Sequence, residues 1–123
     1  MQDHVLNGDG SVETIVRVMR LLSDPTRLKL LALLEDGERN VSELCEALDA
    51  PQPTVSHHLS LMRSASMVTN RRSGKQVYYQ LNRDTITRLD GDGGLVITAG
   101  PTELLLRSVP MRTETVHFHA AVG

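Results

Sequence analysis

The sequence has 123 residues, 40% of them hydrophobic and 23% charged, which fits one compact globular domain with a short extension. It contains no Trp, 2 Tyr and 1 Phe, so the core must be built from aliphatic side chains, which favours small packed helices. No apolar run reaches the roughly 20 residues of a membrane span. The first residues lack a secretion signal, and the single cysteine, Cys45, cannot form an intrachain disulfide. These features predict a cytoplasmic protein.

The formal net charge is -2, but the positive charge is concentrated in one third of the sequence. Residues 52–83 contain 5 Lys and Arg and no Asp or Glu, whereas residues 1–51 contain 5 basic and 10 acidic residues. A local basic segment of this kind is what a phosphate-facing surface needs. The negative net charge therefore does not exclude nucleic acid as a partner.

Two helices are predicted at the start of the chain. After Ser11, a suitable N-cap, an apolar stripe at helical spacing consists of Val12, Ile15, Val16, Met19 and Leu22. Asp24 and Pro25 then have the chemistry of an N-cap and a first helical position. They begin a Leu-rich second helix, which Gly37 is expected to end.

A helix-turn-helix and a hairpin follow. Asn40 and Glu43 are spaced as the capping box of a third helix, and Asp49 is expected to adopt the left-handed conformation of the turn behind it. A fourth helix is predicted over residues 52–64, with Val55, Leu59 and Met62 facing inward. The period then changes to 2, which predicts strands over residues 67–72 and 75–81 joined at Ser73-Gly74.

Four blocks of this region resemble the ArsR/SmtB family of bacterial regulators: LSDPTRLKLLALL (22–34), VSELCEAL (41–48), QPTVSHHLSLMR (52–63) and RRSGKQVYYQL (71–81). The resemblance implies a winged helix-turn-helix fold, mainly α with a small β component. It also implies a homodimeric repressor that leaves its operator DNA when a metal ion or another signal arrives. The family usually has Gly where this chain has Ser66, just past the fourth helix, so a positive φ is expected there.

The fourth helix and the hairpin contain the side chains that a DNA-binding surface needs. A helix that enters the major groove, which is about 12 Å wide, presents short hydrogen-bonding side chains, and basic side chains around a hairpin turn suit phosphates or the minor groove. The predicted DNA contacts are Gln52, Thr54, Ser56, His57, His58, Ser60, Arg63, Arg71, Arg72 and Lys75. The alternative is that these residues are only solvated polar groups.

The sequence departs from the family's metal sensors at the third helix. Those sensors commonly have cysteines at its start, whereas this chain has residues Asn40 to Glu43 there, with Cys45 one turn later among apolar residues. We therefore expect Cys45 to be a small buried hydrophobe, with a metal ligand or a redox sensor as the alternative.

The C-terminal third of the sequence departs further from the family's pattern. Residues 82–89 are predicted to form two helical turns, which the glycines at 91–94 stop. Strands are then predicted over residues 95–99, 102–109 and 113–120, so a β-rich extension replaces the family's usual final helix. The predicted organisation is a flexible N-terminus (1–10), a winged helix-turn-helix domain (11–90) and this extension (91–123).

Two histidines of the last predicted strand, His117 and His119, fall on one face and could supply nitrogen ligands to Zn, Ni or Cu. A site would also need a partner such as His4, Glu103 or a residue of the other subunit, and exposed histidines are the alternative. The Asp90–Gly91–Asp92–Gly93 segment has some features of a calcium loop but lacks the downstream ligands, so a flexible connection is expected.

These patterns predict a sequence-specific, homodimeric DNA-binding repressor whose operator is an imperfect inverted repeat. Dimerisation is expected through the first helix and the β-rich extension. The first alternative is a winged helix that binds protein, whose fourth helix and hairpin would be hydrophobic or acidic, the reverse of this sequence. The second is an enzyme, but the sequence has no nucleophile–base set, glycine-rich phosphate loop or paired-carboxylate motif.

Overall fold

The computed structural model describes residues 12–88 and 94–107. In chain order its elements are α1 (Val12–Leu22), α2 (Pro25–Glu35), β1 (Arg39–Asn40), α3 (Val41–Leu48), α4 (Gln52–Ser64), β2 (Val68–Ser73), β3 (Gln76–Leu81), β4 (Ile86–Arg88), β5 (Gly94–Ala99) and β6 (Thr102–Arg107). The four helices with two small antiparallel sheets confirm the predicted fold class. Within the described ranges, no helix is long and apolar enough to cross a membrane.

The helix ends are fixed by hydrogen bonds between residues close in sequence. The Asp24 carboxylate accepts hydrogen bonds from the backbone N–H groups of Thr26 (2.8 Å) and Arg27 (3.2 Å), as predicted for the N-cap of α2. The capping box of α3 is also confirmed, because the Asn40 and Glu43 side chains each accept the other's backbone N–H at 2.8 Å. An N-cap of this type stabilises a helix by about 1 kcal/mol.

The core lies where α2, α3 and α4 meet. Leu30, Leu31 and Leu34 of α2 are fully buried, together with Leu44 of α3. Between α3 and α4, Asp49 has φ 51° and ψ 49°, the predicted left-handed conformation. The turn therefore sets α4 against α2 and α3 with one face inward.

The first sheet has the order β1-β3-β2. Its hairpin turn lies at Gly74-Lys75, one residue later than predicted, because Ser73 still pairs with Gln76 and Gly74 has the positive φ (63°) of a tight turn. Strand β1 has only two residues, too few to give an alternating pattern, and sequence reasoning missed it. It pairs with β3 and so joins the start of α3 to the hairpin.

The second sheet has the order β4-β5-β6, and its first strand lies where a helix was predicted. The two helical turns predicted over residues 82–89 are wrong for the described residues 82–88. The backbone makes one turn, in which the N–H of Ile86 donates to the carbonyl of Asn82 (2.8 Å) and the Asn82 side chain accepts from the N–H of Asp84 (3.1 Å). Strand β4 then pairs with β5 through Ile86 and Thr87, two β-branched residues that favour a strand.

The strands predicted over residues 95–99 and 102–109 correspond to β5 and to β6, which is described as far as Arg107. The strand predicted over residues 113–120, with His117 and His119, lies outside the described residues. Ile86 and Ile97 of the second sheet are fully buried in the same hydrophobic cluster as the helices. The described part of the extension, residues 94–107, therefore packs onto the helical core, and its sheet begins at β4.

Candidate nucleic-acid interface

Helix α4 presents one fixed face to solvent. Its opposite face is anchored by Val55, Leu59 and Met62, which are fully buried, as predicted. Five of the predicted DNA-contacting side chains on α4 are exposed, and they are Gln52, Thr54, His57, Ser60 and Arg63. A rigid helix with a polar outer face can present the same set of hydrogen-bonding groups to every ligand that docks on it.

The N-terminal end of α4 lies open. Pro51 is its N-cap and gives no side-chain hydrogen bond, and Pro53 occupies a first-turn position where a missing N–H is tolerated. No acidic residue lies in the first turn. The partial positive charge of this helix end is therefore not reduced by a carboxylate within the first turn of α4.

His58 differs from its neighbours on α4, because it is half-buried and faces α2. Its Nδ1 lies 3.1 Å from Nη1 of Arg27. A guanidinium can only donate hydrogen bonds, so Nδ1 accepts, and a neutral His58 has its proton on Nε2. Ser56 is also half-buried.

Arg27 is a residue that sequence reasoning missed. Besides His58, its guanidinium donates from Nε to the carbonyl of Leu21 (2.6 Å) at the end of α1. Partial burial alone would raise the pKa of Asp24, but the backbone N–H groups of Arg27 and Thr26 and the charge of Arg27 lower it overall. The partner of Arg27 lies 31 residues away in sequence, so no local pattern could have identified the contact.

Arg71 on β2 is engaged within the protein. Its Nε donates to Oε2 of Glu38 and its Nη2 to Oε1, both at 2.8 Å. The guanidinium carbon also lies 4.8 Å from the centre of the Tyr78 ring, a cation–π geometry. The hydrogen bond from Arg71 lowers the pKa of Glu38, and the same bond raises the pKa of Arg71. Glu38 was not among the predicted site residues.

The three basic residues of the hairpin do not form one cluster. Arg71 lies opposite Tyr78 and Arg72 lies opposite Val77, so their side chains are on opposite faces of the hairpin. Arg72 and Lys75 are exposed and make no hydrogen bond or ion pair with any other residue of the described ranges. These two cations are available to an external anion, whereas Arg71 already has a carboxylate partner.

The described residues do not fit a metal centre. Cys45 is half-buried and packs against the hydrophobic core, as expected of a small hydrophobe. In residues 12–88 and 94–107, no group of three or more His, Cys, Asp or Glu side chains could hold a metal ion. The predicted ligands His117 and His119 lie outside these ranges.

Helix-turn-helix, exposed α4 face and basic hairpin together define a winged helix-turn-helix regulator. Residues 24–70 match the family model of bacterial regulatory proteins of the arsR family. The arsenical resistance operon repressor of Staphylococcus xylosus is 33% identical over 89 residues, which are 72% of this chain and 86% of the relative. The chain belongs to the arsR family, as the sequence blocks predicted, and this is a family of regulators rather than enzymes.

Other similarities agree with this assignment. The HTH-type transcriptional regulator KmtR of Mycobacterium tuberculosis is 40% identical over 81 residues, which cover 66% of this chain and 62% of KmtR. The structure of the transcriptional repressor BigR from Xylella fastidiosa is 36% identical with a TM-score of 0.53, covering 56% of this chain and 70% of BigR. A homodimeric winged helix-turn-helix DNA-binding domain from Mycobacterium bovis is 34% identical with a TM-score of 0.52, covering 55% and 63% of the two chains.

Proposed function

We propose that this protein is a homodimeric transcriptional repressor that binds operator DNA through α4 and the β2–β3 hairpin. The observation that carries the proposal is the outer face of α4, which is exposed and is polar apart from Leu61 (38% exposed), while three buried side chains fix the inner face. Several relatives are named as repressors, among them the arsenical resistance operon repressor of Staphylococcus xylosus, which supports the proposal. Only part of each relative is matched, so the activity is tested on this chain directly.

Sequence selection is assigned to the N-terminal half of α4 in the major groove. Gln52 can pair bidentately with adenine, while Thr54, Ser56 and His57 reach base edges or phosphates. The hairpin, by contrast, provides electrostatic contacts through Arg72 and Lys75, whose exposed cations suit the phosphate backbone. In this proposal α4 selects the DNA sequence, and the hairpin strengthens binding to any sequence.

The dimer is assigned to α1. This helix exposes Val12 (75%), Val16 (38%) and Met19 (56%) at a spacing that places them along one side. A second copy of the helix would remove this apolar stripe from water. Two-fold symmetry then sets the two α4 helices about 34–36 Å apart, so the operator should be an imperfect inverted repeat.

Fluorescence anisotropy with a labelled duplex from the region upstream of the protein's own gene tests the function. We expect binding that survives an excess of unrelated DNA but is competed by the unlabelled duplex. Ser56→Ala and His57→Ala should reduce this preference with little change in affinity for unrelated DNA. Equal competition by both DNAs would refute sequence-specific binding.

The release signal is a separate proposal. The described residues form no metal site, so a metal effector would depend on the His117 and His119 pair together with further ligands. Titrating the DNA complex with Zn²⁺, Ni²⁺ or Cu²⁺ tests it. Release by one metal that is lost in His117→Ala/His119→Ala supports the pair, and equal release from that variant refutes it.

A further inference from the structure

Glu38 is placed where it can control the hairpin. It lies between α2 and β1, and the sheet order β1-β3-β2 puts it two strands away from Arg71. The Arg71 side chain lies over the ring of Tyr78 on the middle strand, with 4.8 Å between the guanidinium carbon and the ring centre, and ends on the Glu38 carboxylate. The contact joins residues 33 positions apart, so it is a product of the fold.

The edge of the guanidinium that Glu38 occupies is one that DNA would use. The Glu38 carboxylate accepts two parallel hydrogen bonds of 2.8 Å, one from Nε and one from Nη2 of Arg71. Guanidinium groups bind phosphates through the same two-pronged geometry. A phosphate can therefore form this arrangement with Arg71 only after it displaces Glu38.

The pair is also exposed enough to exchange. The Arg71 side chain is 55% exposed and that of Glu38 27%. Exposed ion pairs of this kind are weak in water, so a phosphate can compete with the carboxylate. Residues 52–83 contain no acidic residue of their own, so the fold brings Glu38 to this basic segment from outside it.

We propose that Glu38 is an intramolecular competitor of DNA phosphate for Arg71 and thereby limits the affinity of the hairpin for DNA. The inference rests on the proposed DNA-binding function. While the pair is intact it contributes no net charge to the DNA surface, and Arg71 contributes a full positive charge once Glu38 is neutralised. Glu38 therefore lowers binding to every sequence alike and leaves selection by α4 unchanged.

The test compares Glu38→Gln with Glu35→Gln in the full chain, using anisotropy with the upstream duplex over a range of salt concentrations. Glu35 is a matched control, since it has the same charge but lies 3.9 Å from Arg88, next to the second sheet. We expect Glu38→Gln to lower Kd about two- to fivefold, the range that an exposed pair supports. The slope of log K against log salt should become steeper by about 0.9, as for one added phosphate contact. Glu35→Gln should change both Kd and the salt slope by less than Glu38→Gln does.

A double-mutant cycle with Arg71→Gln separates competition from a general charge effect. In the Arg71→Gln background, the Glu38→Gln change should lower Kd no more than Glu35→Gln does. The proposal would be overturned if Glu38→Gln still tightened binding in the Arg71→Gln background. It would also be overturned if Glu38→Gln alone weakened binding, because Glu38 would then hold Arg71 in the orientation that binds DNA. If the unmodified protein binds no DNA, the proposed function fails, whereas equal binding by Glu38→Gln and Glu35→Gln refutes only the role of Glu38.

Discussion

Ser66→Gly should make the protein more stable. Ser66 has φ 67°, in the left-handed region where a Cβ atom costs roughly 1–2 kcal/mol. Glycine removes that cost but loses about 0.5–1 kcal/mol more through the larger conformational freedom of the unfolded chain. The net gain is about 0–1.5 kcal/mol with a middle value of about 0.75 kcal/mol, which corresponds to an increase in Tm of about 2–5 °C for a domain of this size.

The hydrogen bonds to the Ser66 carbonyl should survive the substitution. The Ser66 carbonyl accepts hydrogen bonds from Thr85 Oγ1 (2.8 Å) and Asn82 Nδ2 (3.0 Å), and a glycine has the same carbonyl. Thermal unfolding followed by circular dichroism measures the change. Ser66→Ala is the control, since it removes the hydroxyl and keeps the Cβ. If alanine raised Tm as much as glycine, or if glycine left Tm unchanged or lower, the argument from backbone conformation would be refuted.

The remaining predictions concern the hairpin, the dimer and the ion pair. Arg72→Gln should weaken binding to all DNA sequences and reduce the salt slope by about 0.9, because one phosphate contact is lost; an unchanged slope would remove Arg72 from the interface. Met19→Lys should give a folded monomer in sedimentation, because it places a charge in an apolar contact; a persistent dimer would exclude α1. In NMR titrations, Glu38 should titrate below the usual range for Glu, because the Arg71 hydrogen bond lowers its pKa; Arg71→Gln should raise it again. The small stabilisation from this pair is thus present above the unfolded-state pKa of Glu38 and is lost as pH falls through the folded-state value.

Local chemistry made the helical part of the fold predictable. The N-cap at Asp24, the capping box at Asn40 and the left-handed Asp49 are each determined by residues close in sequence, and each is present in the structure. The bounds of α4, 52–64, were also predicted, since Pro51 precedes the helix, Pro53 lies in its first turn and apolar spacing continues to Met62. Because the exposed face of a helix follows from its buried face, the exposure of most of the predicted α4 side chains followed too.

What sequence reasoning missed depends on contacts between distant residues. The residues from Asn82 onward have enough polar and apolar spacing for a short helix, but pairing of Ile86 with Ile97 overrides that weak preference. The three hairpin cations were all predicted to contact DNA, and the sequence does not show that the fold gives Arg71 a carboxylate partner from before β1. Charge patterning locates a basic segment but does not say which of its cations the protein itself has neutralised.

The Arg27 side chain has a consequence for cooperativity. It joins two carbonyls near the end of α1, those of Arg20 and Leu21, to His58 of α4, so the end of the proposed dimer helix and the proposed DNA-binding helix share one guanidinium. If subunit association and DNA binding both depend on the position of this guanidinium, the two equilibria are thermodynamically linked. By reciprocity, the factor by which dimerisation tightens DNA binding equals the factor by which DNA tightens the dimer. An operator fragment should therefore lower the concentration at which the protein assembles.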